Sequence, residues 1–149
     1  MNEIKKIIVP VDFNEHTNPV VEYAFYIAGK LGASVKLAHV VEQPFYYGDI
    51  EYPSIGPYTE ELGKEADKIM KALVDKYKKN FTACEGKVIR GDTAESIIKN
   101  AADEQADLII IGTHGRRGLE KMWLGSVAER VIKGAPCPTL TCNPYKKEK

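Results

Sequence analysis

Four glycines, at positions 112, 115, 118 and 125, fall within GTHGRRGLEKMWLGSVAERV, directly after the apolar run Leu108-Ile109-Ile110-Ile111. Gly112 and Gly115 lack a Cβ and are free to take positive φ, so their N–H groups can approach an anion closely. Gly125-Ser126 opens a helical pattern. The first N–H groups of a helix have no intrahelical partners and carry partial positive charge, which makes phosphate their natural ligand. Arg116 and Arg117 add cations nearby, and Ser126 adds a hydroxyl. A purely structural reading stands beside this one: Gly112 ends a strand, and Ser126 with Glu129 forms an S-x-x-E capping box. The two are compatible, because the Val127 and Ala128 amides remain free in either.

Other chemistries fit less well. A P-loop requires GxxxxGK[ST], and no glycine here is followed by Lys in that way. The dinucleotide fingerprint GxGxxG belongs after the first strand, where the chain reads PVDFNEH without a glycine. His114 is an acid–base candidate, but a loop residue that packs or bonds locally is the preferred reading of it. His16 and His39 share no zinc-like spacing with the cysteines or with a carboxylate cluster. Met122 and Trp123 read as core or interface residues, and Cys137 and Cys142 as buried structural thiols. Too few cations stand in the loop to make a recognised phosphoryl-transfer centre.

The elements that must hold the loop alternate regularly. Ile7 to Val11 reads as a buried strand ending at Asp12. Thr17-Asn18-Pro19 offers a cap and a helix start, and the period Val20, Tyr23, Ala24, Ile27, Ala28, Leu31 stops at Gly32. Ser34 to Val41 is a second strand. The aromatic, Pro- and Gly-rich stretch 43–58 reads as a long surface loop. Thr59 is placed to cap a helix to about Asn80, burying Leu62, Ala66, Ile69, Leu73 and Tyr77. Glu85–Arg90 is a third strand, Asp92 and Glu95 have capping-box spacing for a third helix, and Asp107–Gly112 is a fourth strand. Ser126 to about Lys133 is a fourth helix, Pro138–Cys142 a fifth strand, and residues 143–149 a polar tail.

Strands that are continuous apolar runs, alternating with helices, predict an α/β fold: an open five-stranded parallel sheet with helices on both faces, in one domain over 1–149. With order 3-2-1-4-5, the order reverses between strands 1 and 4, where such sheets bind ligands. Asp12 and the glycine loop converge there. Lys plus Arg and Asp plus Glu number 21 each, so net charge gives no general attraction to nucleic acid or to an anionic membrane. The three scattered cysteines fit a reducing, cytoplasmic setting. The apolar run near the N-terminus is too short for a signal peptide, and no stretch approaches the roughly 20 apolar residues of a membrane span.

The pattern Gly112-x-x-Gly115, nine residues, Gly125-Ser126 resembles the ATP-binding branch of the universal stress protein family. Pro10-Val11-Asp12, His39-Val40, Gly91-Asp92 and Asp107 through Gly115 carry the likeness along nearly the whole chain. The resemblance implies the Rossmann-like fold of that family and an adenine nucleotide: ATP, with ADP and AMP left open, accompanied by Mg2+ at the phosphates. It implies that Pro10, Val11, Asp12 and Val40 contact the adenosine, with Val40 acting through its backbone. Ile111, Gly112, His114, Gly115 and Arg116 then line the ribose and phosphate path, and Gly125, Ser126 and Val127 bind phosphate. Asp12 would repel a bare triphosphate, so a base or ribose contact or a Mg2+ bridge suits it. The resemblance further implies a homodimer through strand 138–142, whose threonines depart from the family's more aliphatic run. It implies a nucleotide-dependent stress-response module; a slow ATP hydrolase and a nucleotide-free dimeric scaffold are the alternatives.

Overall fold

The computed structural model describes residues 3–43, 55–113 and 124–144. The elements run β1 (Lys6–Pro10), α1 (Thr17–Leu31), β2 (Ser34–Glu42), α2 (Ile55–Lys78), β3 (Cys84–Gly91), α3 (Thr93–Asp103), β4 (Leu108–Gly112), α4 (Ser126–Gly134) and β5 (Thr139–Cys142). All strand pairs are parallel, in the order β3-β2-β1-β4-β5. This is the predicted α/β arrangement, and the order reverses between β1 and β4.

Alternation along the strands sends side chains into two cores. Ile7, Val9, Val35, Leu37 and Ile110 pack on one face with Val20, Val21, Ala24 and Ala28 of α1 and Met70 of α2. Ile8, Ala38, Ile109 and Ile111 pack on the other with Ala94, Ile97 and Ala101 of α3 and Ala128 and Val131 of α4. The central strands β1 and β4 are buried on both faces, which is why their sequences are unbroken aliphatic runs. At the amino ends of the strands, Asp107 accepts from the N–H of Lys5 and Lys6, both at 2.9 Å, and so aligns β4 with β1.

Several local expectations are corrected. The α1 cap is His16, without a side-chain cap bond; the Thr17 hydroxyl instead turns to Asp12 at 3.3 Å. In α1, Tyr23 and Leu31 are exposed, and Val21 takes a core position. Helix α2 begins at Ile55 rather than Thr59, so residues 55–58 of the expected loop are helical, and 44–54 lie outside the described residues. Its inward face is Gly63, Ala66 and Met70, leaving Leu62 and Ile69 exposed. The helix lies close to β3 because Gly86 has no side chain: a Cβ there would meet Met70 Sδ at 2.5 Å and Val74 Cγ2 at 2.6 Å. The strands otherwise shift by a residue or two at their ends. Cys84 is the fully buried thiol, whereas Cys137 and Cys142 are half-buried.

Two cap expectations separate. Asp92 caps α3 as predicted, its carboxylate accepting from the Glu95 N–H at 2.9 Å. Ser126 and Glu129 form no capping box: Gly125 is the N-cap of α4, and the Glu129 carboxylate is drawn along the helix to Lys133 at 2.6 Å.

Candidate functional site

The carboxyl end of β1 turns sharply. Val11 donates its N–H to the Ala38 carbonyl at 2.9 Å, continuing the β1–β2 ladder past Pro10. Phe13 then takes the left-handed conformation, φ 59°, which points the chain back on itself. Asn14 reaches the Asp12 carboxylate from its amide, Nδ2 to Oδ2 at 2.9 Å, and from its backbone N–H to Oδ1 at 3.4 Å. Thr17, buried at the start of α1, donates its hydroxyl to the same Oδ1. Asn14 is itself fixed, accepting from the His16 N–H at 2.8 Å. Asp12 is therefore held by donors from the turn and the helix, and stays half-buried at the mouth of the β1–β4 crevice.

Phe13 also stacks on His39, with ring centroids 3.9 Å apart. His39 is buried and donates from Nδ1 to the Val11 carbonyl at 2.8 Å; a carbonyl only accepts, so that nitrogen carries a proton. Neither Asn14, Thr17 nor Phe13 was expected at the site. Phe13 shows no glycine-like signal in the sequence, although PVDFNEH does carry the Asx-turn residues that favour such a bend.

On the other side of the crevice, Gly112 remains in β4, paired with Cys142, and Thr113 extends the pairing by donating its N–H to the Cys142 carbonyl at 2.8 Å. Among the described glycines, positive φ occurs at Gly32 and Gly91, not at Gly112. That expectation is corrected: strand pairing keeps Gly112 extended. The Gly125 N–H then donates to the Thr113 carbonyl at 2.7 Å, so the chain returns to the end of β4 as α4 begins. The first helical bond of α4 runs from the Glu129 N–H to the Gly125 carbonyl. Among the described residues, nothing accepts from the N–H groups of Ser126, Val127 or Ala128. Gly125, at φ −70° and ψ 151°, occupies backbone that any residue adopts. Its lack of a side chain is therefore not demanded by backbone geometry.

Pro10, Val11, Asp12, Val40, Ile111, Gly112, Gly125, Ser126 and Val127 are all described, and each sits at a carboxyl strand end or at the α4 start. Val11 packs into the α1 core, whereas Val40, Ile111 and Val127 pack into the α3–α4 core. Their side chains are committed to packing. His114, Gly115 and Arg116, with Arg117, Gly118, Met122 and Trp123, lie outside the described residues.

Electrostatics near α4 centre on a residue that the motif does not include. Arg130 forks onto Asp92, Nη2 to Oδ1 at 2.8 Å and Nη1 to Oδ2 at 3.0 Å. That guanidinium, and then the Glu95 N–H, holds the Asp92 carboxyl below its ordinary value. Burial pushes the Cys142 thiol up to about 11, so it is protonated at neutral pH and no nucleophile. Among the described residues, no three His, Cys, Asp or Glu converge to hold a metal ion, and no helix is long and apolar enough to cross a membrane. A separate groove of about 500 Å³ runs between α2 and the outer edge of β3, past Met70, Val74, Lys78 and Gly86, away from these strand ends.

Comparison with known proteins shows what the chain is similar to. The family model described as "Universal stress protein family" matches residues 3–143. Universal stress protein MJ0531 of Methanocaldococcus jannaschii is 35% identical over 150 residues, covering 99% of this chain and 86% of that protein. The solved structure of MJ0577, described as a structure-based assignment of biochemical function, superposes with a TM-score of 0.78 at 28% identity, covering 99% of this chain and 100% of that one. The universal stress protein of Archaeoglobus fulgidus, solved in complex with dAMP, superposes with a TM-score of 0.65 at 22% identity, covering 94% and 98%.

Proposed function

The chain belongs to the universal stress protein family, and from that premise we propose that it binds an adenine nucleotide, ATP in the first instance, as a regulatory module of the stress response. The observation that carries the reading is the paired geometry at the crevice. The α4 N-terminus offers uncapped N–H groups beside a side-chain-free Gly125, and Asp12 is fixed across from it at the end of β1. A family member solved with dAMP supports an adenine ligand.

The donor set divides the ligand. The N–H groups of Ser126 and Val127, with the helix dipole behind them, suit phosphate oxygens. Asp12 accepts hydrogen bonds and stands opposite, which suits ribose hydroxyls or the adenine amine and disfavours phosphate. The backbone of Val40, near the end of β2 beyond the β1 pairing, suits the base edge, whereas Val11 keeps its N–H on Ala38 and its carbonyl on His39 and borders the base beside it. Ile111 and Gly112 form the floor between these ends. His114, Gly115 and Arg116 complete the phosphate path in this reading. Mg2+ arrives with the phosphates, which supply most of its ligands.

In this reading the protein holds nucleotide rather than turning it over, because Arg116, Arg117 and His114 are few candidates for phosphoryl transfer and none sits in a recognised catalytic motif. A homodimer through the edge strand β5 accompanies it, since that strand otherwise leaves its outer N–H and C=O groups unpaired. The test is a calorimetric titration of nucleotide-stripped protein with MgATP, paired with a multiple-turnover phosphate-release assay. Micromolar binding with release at the buffer rate is expected. Release well above that rate would replace the binding module with an ATP hydrolase. Absence of binding would leave the dimeric scaffold.

A further inference from the structure

We infer that Arg130 is a positioning residue, aiming the α4 N-terminus at the phosphates from a bond it makes elsewhere. The inference rests on the nucleotide reading above and adds to it a residue outside the glycine motif.

The fork between Arg130 and Asp92 uses both carboxylate oxygens, at 2.8 and 3.0 Å. Such paired bonds fix direction as well as distance, which a lysine ammonium cannot do. Asp92 is no free surface acid. It caps α3, and it follows Gly91, whose φ of 147° favours glycine and whose missing Cβ would meet Ser96 Oγ at 2.8 Å, so the turn out of β3 is made by a residue without a side chain. The next residue, Thr93, donates its hydroxyl to Glu42 Oε1 at 2.8 Å, tying the same turn to the end of β2. The start of α3 is thus anchored to two strands, and Arg130 extends that anchor to α4.

Among the described residues, helix α4 is otherwise located by its buried face, Ala128 and Val131, and by the bond from Gly125 to Thr113. These fix which side of the helix faces the sheet. Arg130 stands on the flank, 49% exposed, where an ion pair contributes little to stability. Its geometric role is larger: it sets the tilt of a short helix whose first N–H groups form the phosphate end of the site.

A competing role is direct contact, with Arg130 leaving Asp92 to grip a phosphate. The two roles give opposite signs in Asp92→Asn, which keeps a good N-cap but weakens the fork. The experiment titrates the full-length wild type, Arg130→Met, Arg130→Lys and Asp92→Asn with MgATP and with adenosine, and records a thermal melt for each. Positioning predicts that all three variants lose roughly two- to tenfold in MgATP affinity, the scale of one hydrogen bond, while adenosine affinity stays unchanged. Tighter MgATP binding by Asp92→Asn, or full recovery in Arg130→Lys, overturns the inference in favour of simple charge. Equal loss for MgATP and adenosine, with a lowered melt, overturns it in favour of bulk destabilisation. Unchanged MgATP affinity in Arg130→Met overturns it alone; failure of the wild type to bind MgATP overturns the nucleotide reading itself.

Discussion

Phe13 lies almost flat on His39, planes 23° apart, while its own backbone stands at φ 59°. The left-handed conformation costs a residue with a Cβ roughly 1–2 kcal/mol. A stacked ring pair returns about 0.5–1.5 kcal/mol beyond simple burial. The turn that presents Asp12 is therefore held in part by a ring contact on the neighbouring strand.

This predicts an order among variants. Phe13→Ala loses the ring and keeps the backbone cost; Phe13→Gly loses the ring and relieves it. Urea unfolding is expected to rank wild type above Phe13→Gly, and Phe13→Gly above Phe13→Ala by roughly 0.5–1 kcal/mol. An alanine variant more stable than the glycine variant would show that the turn does not keep its left-handed residue.

A second contrast lies between two glycines. A Cβ on Gly86 would press into Met70 and Val74, whereas a Cβ on Gly29, exposed in the last turn of α1, meets nothing within 4 Å. Gly86→Ala should cost about 1–3 kcal/mol by overpacking. Gly29→Ala should add about 0.5–1 kcal/mol by helix propensity. Thermal melts of the two variants check both signs, and a neutral Gly86→Ala would mean that α2 lifts off β3 freely.

Acid should unfold the protein in one direction only. Asp92 is held low by Arg130 and the Glu95 N–H, Glu104 by Lys36, and Asp107 by the N–H groups of Lys5 and Lys6. Each binds a proton less readily when folded than when unfolded. Their contribution is therefore complete above the ordinary values, 3.8 for aspartate and 4.5 for glutamate, and is lost as pH falls through the depressed ones. Urea midpoints should hold from neutrality and fall steeply below about pH 4.5. Asp107→Asn should flatten that fall, and a midpoint that rises on acidification would contradict the assignment.

Much of this was legible in the residues. Unbroken aliphatic strands announced a parallel sheet, and Gly32 announced the end of α1, where it sits at φ 65° with its N–H bonded to Ala28. Asp92 read correctly as a cap because its partner amide lies three residues on, within the same turn. What failed was where a distant partner competed with a local one. Thr17 left its capping role for Asp12, and Glu129 left the capping box for Lys133. The fork from Arg130 to Asp92 spans 38 positions, and no local spacing encodes it. The outward turn of Leu62 and Ile69 follows from close packing at Gly86 on another element, which periodicity within α2 does not contain.

The central claim, phosphate at the start of α4, is tested most directly by titrating MgATP into wild-type protein and Gly125→Val side by side. Gly125 occupies ordinary extended backbone, so valine should leave the fold and melting temperature near those of the wild type while its branched Cβ fills the approach to the Ser126 and Val127 amides. Micromolar binding by the wild type and none by the folded variant is the expected result. Equal affinity in both proteins would place the phosphates elsewhere and contradict the account.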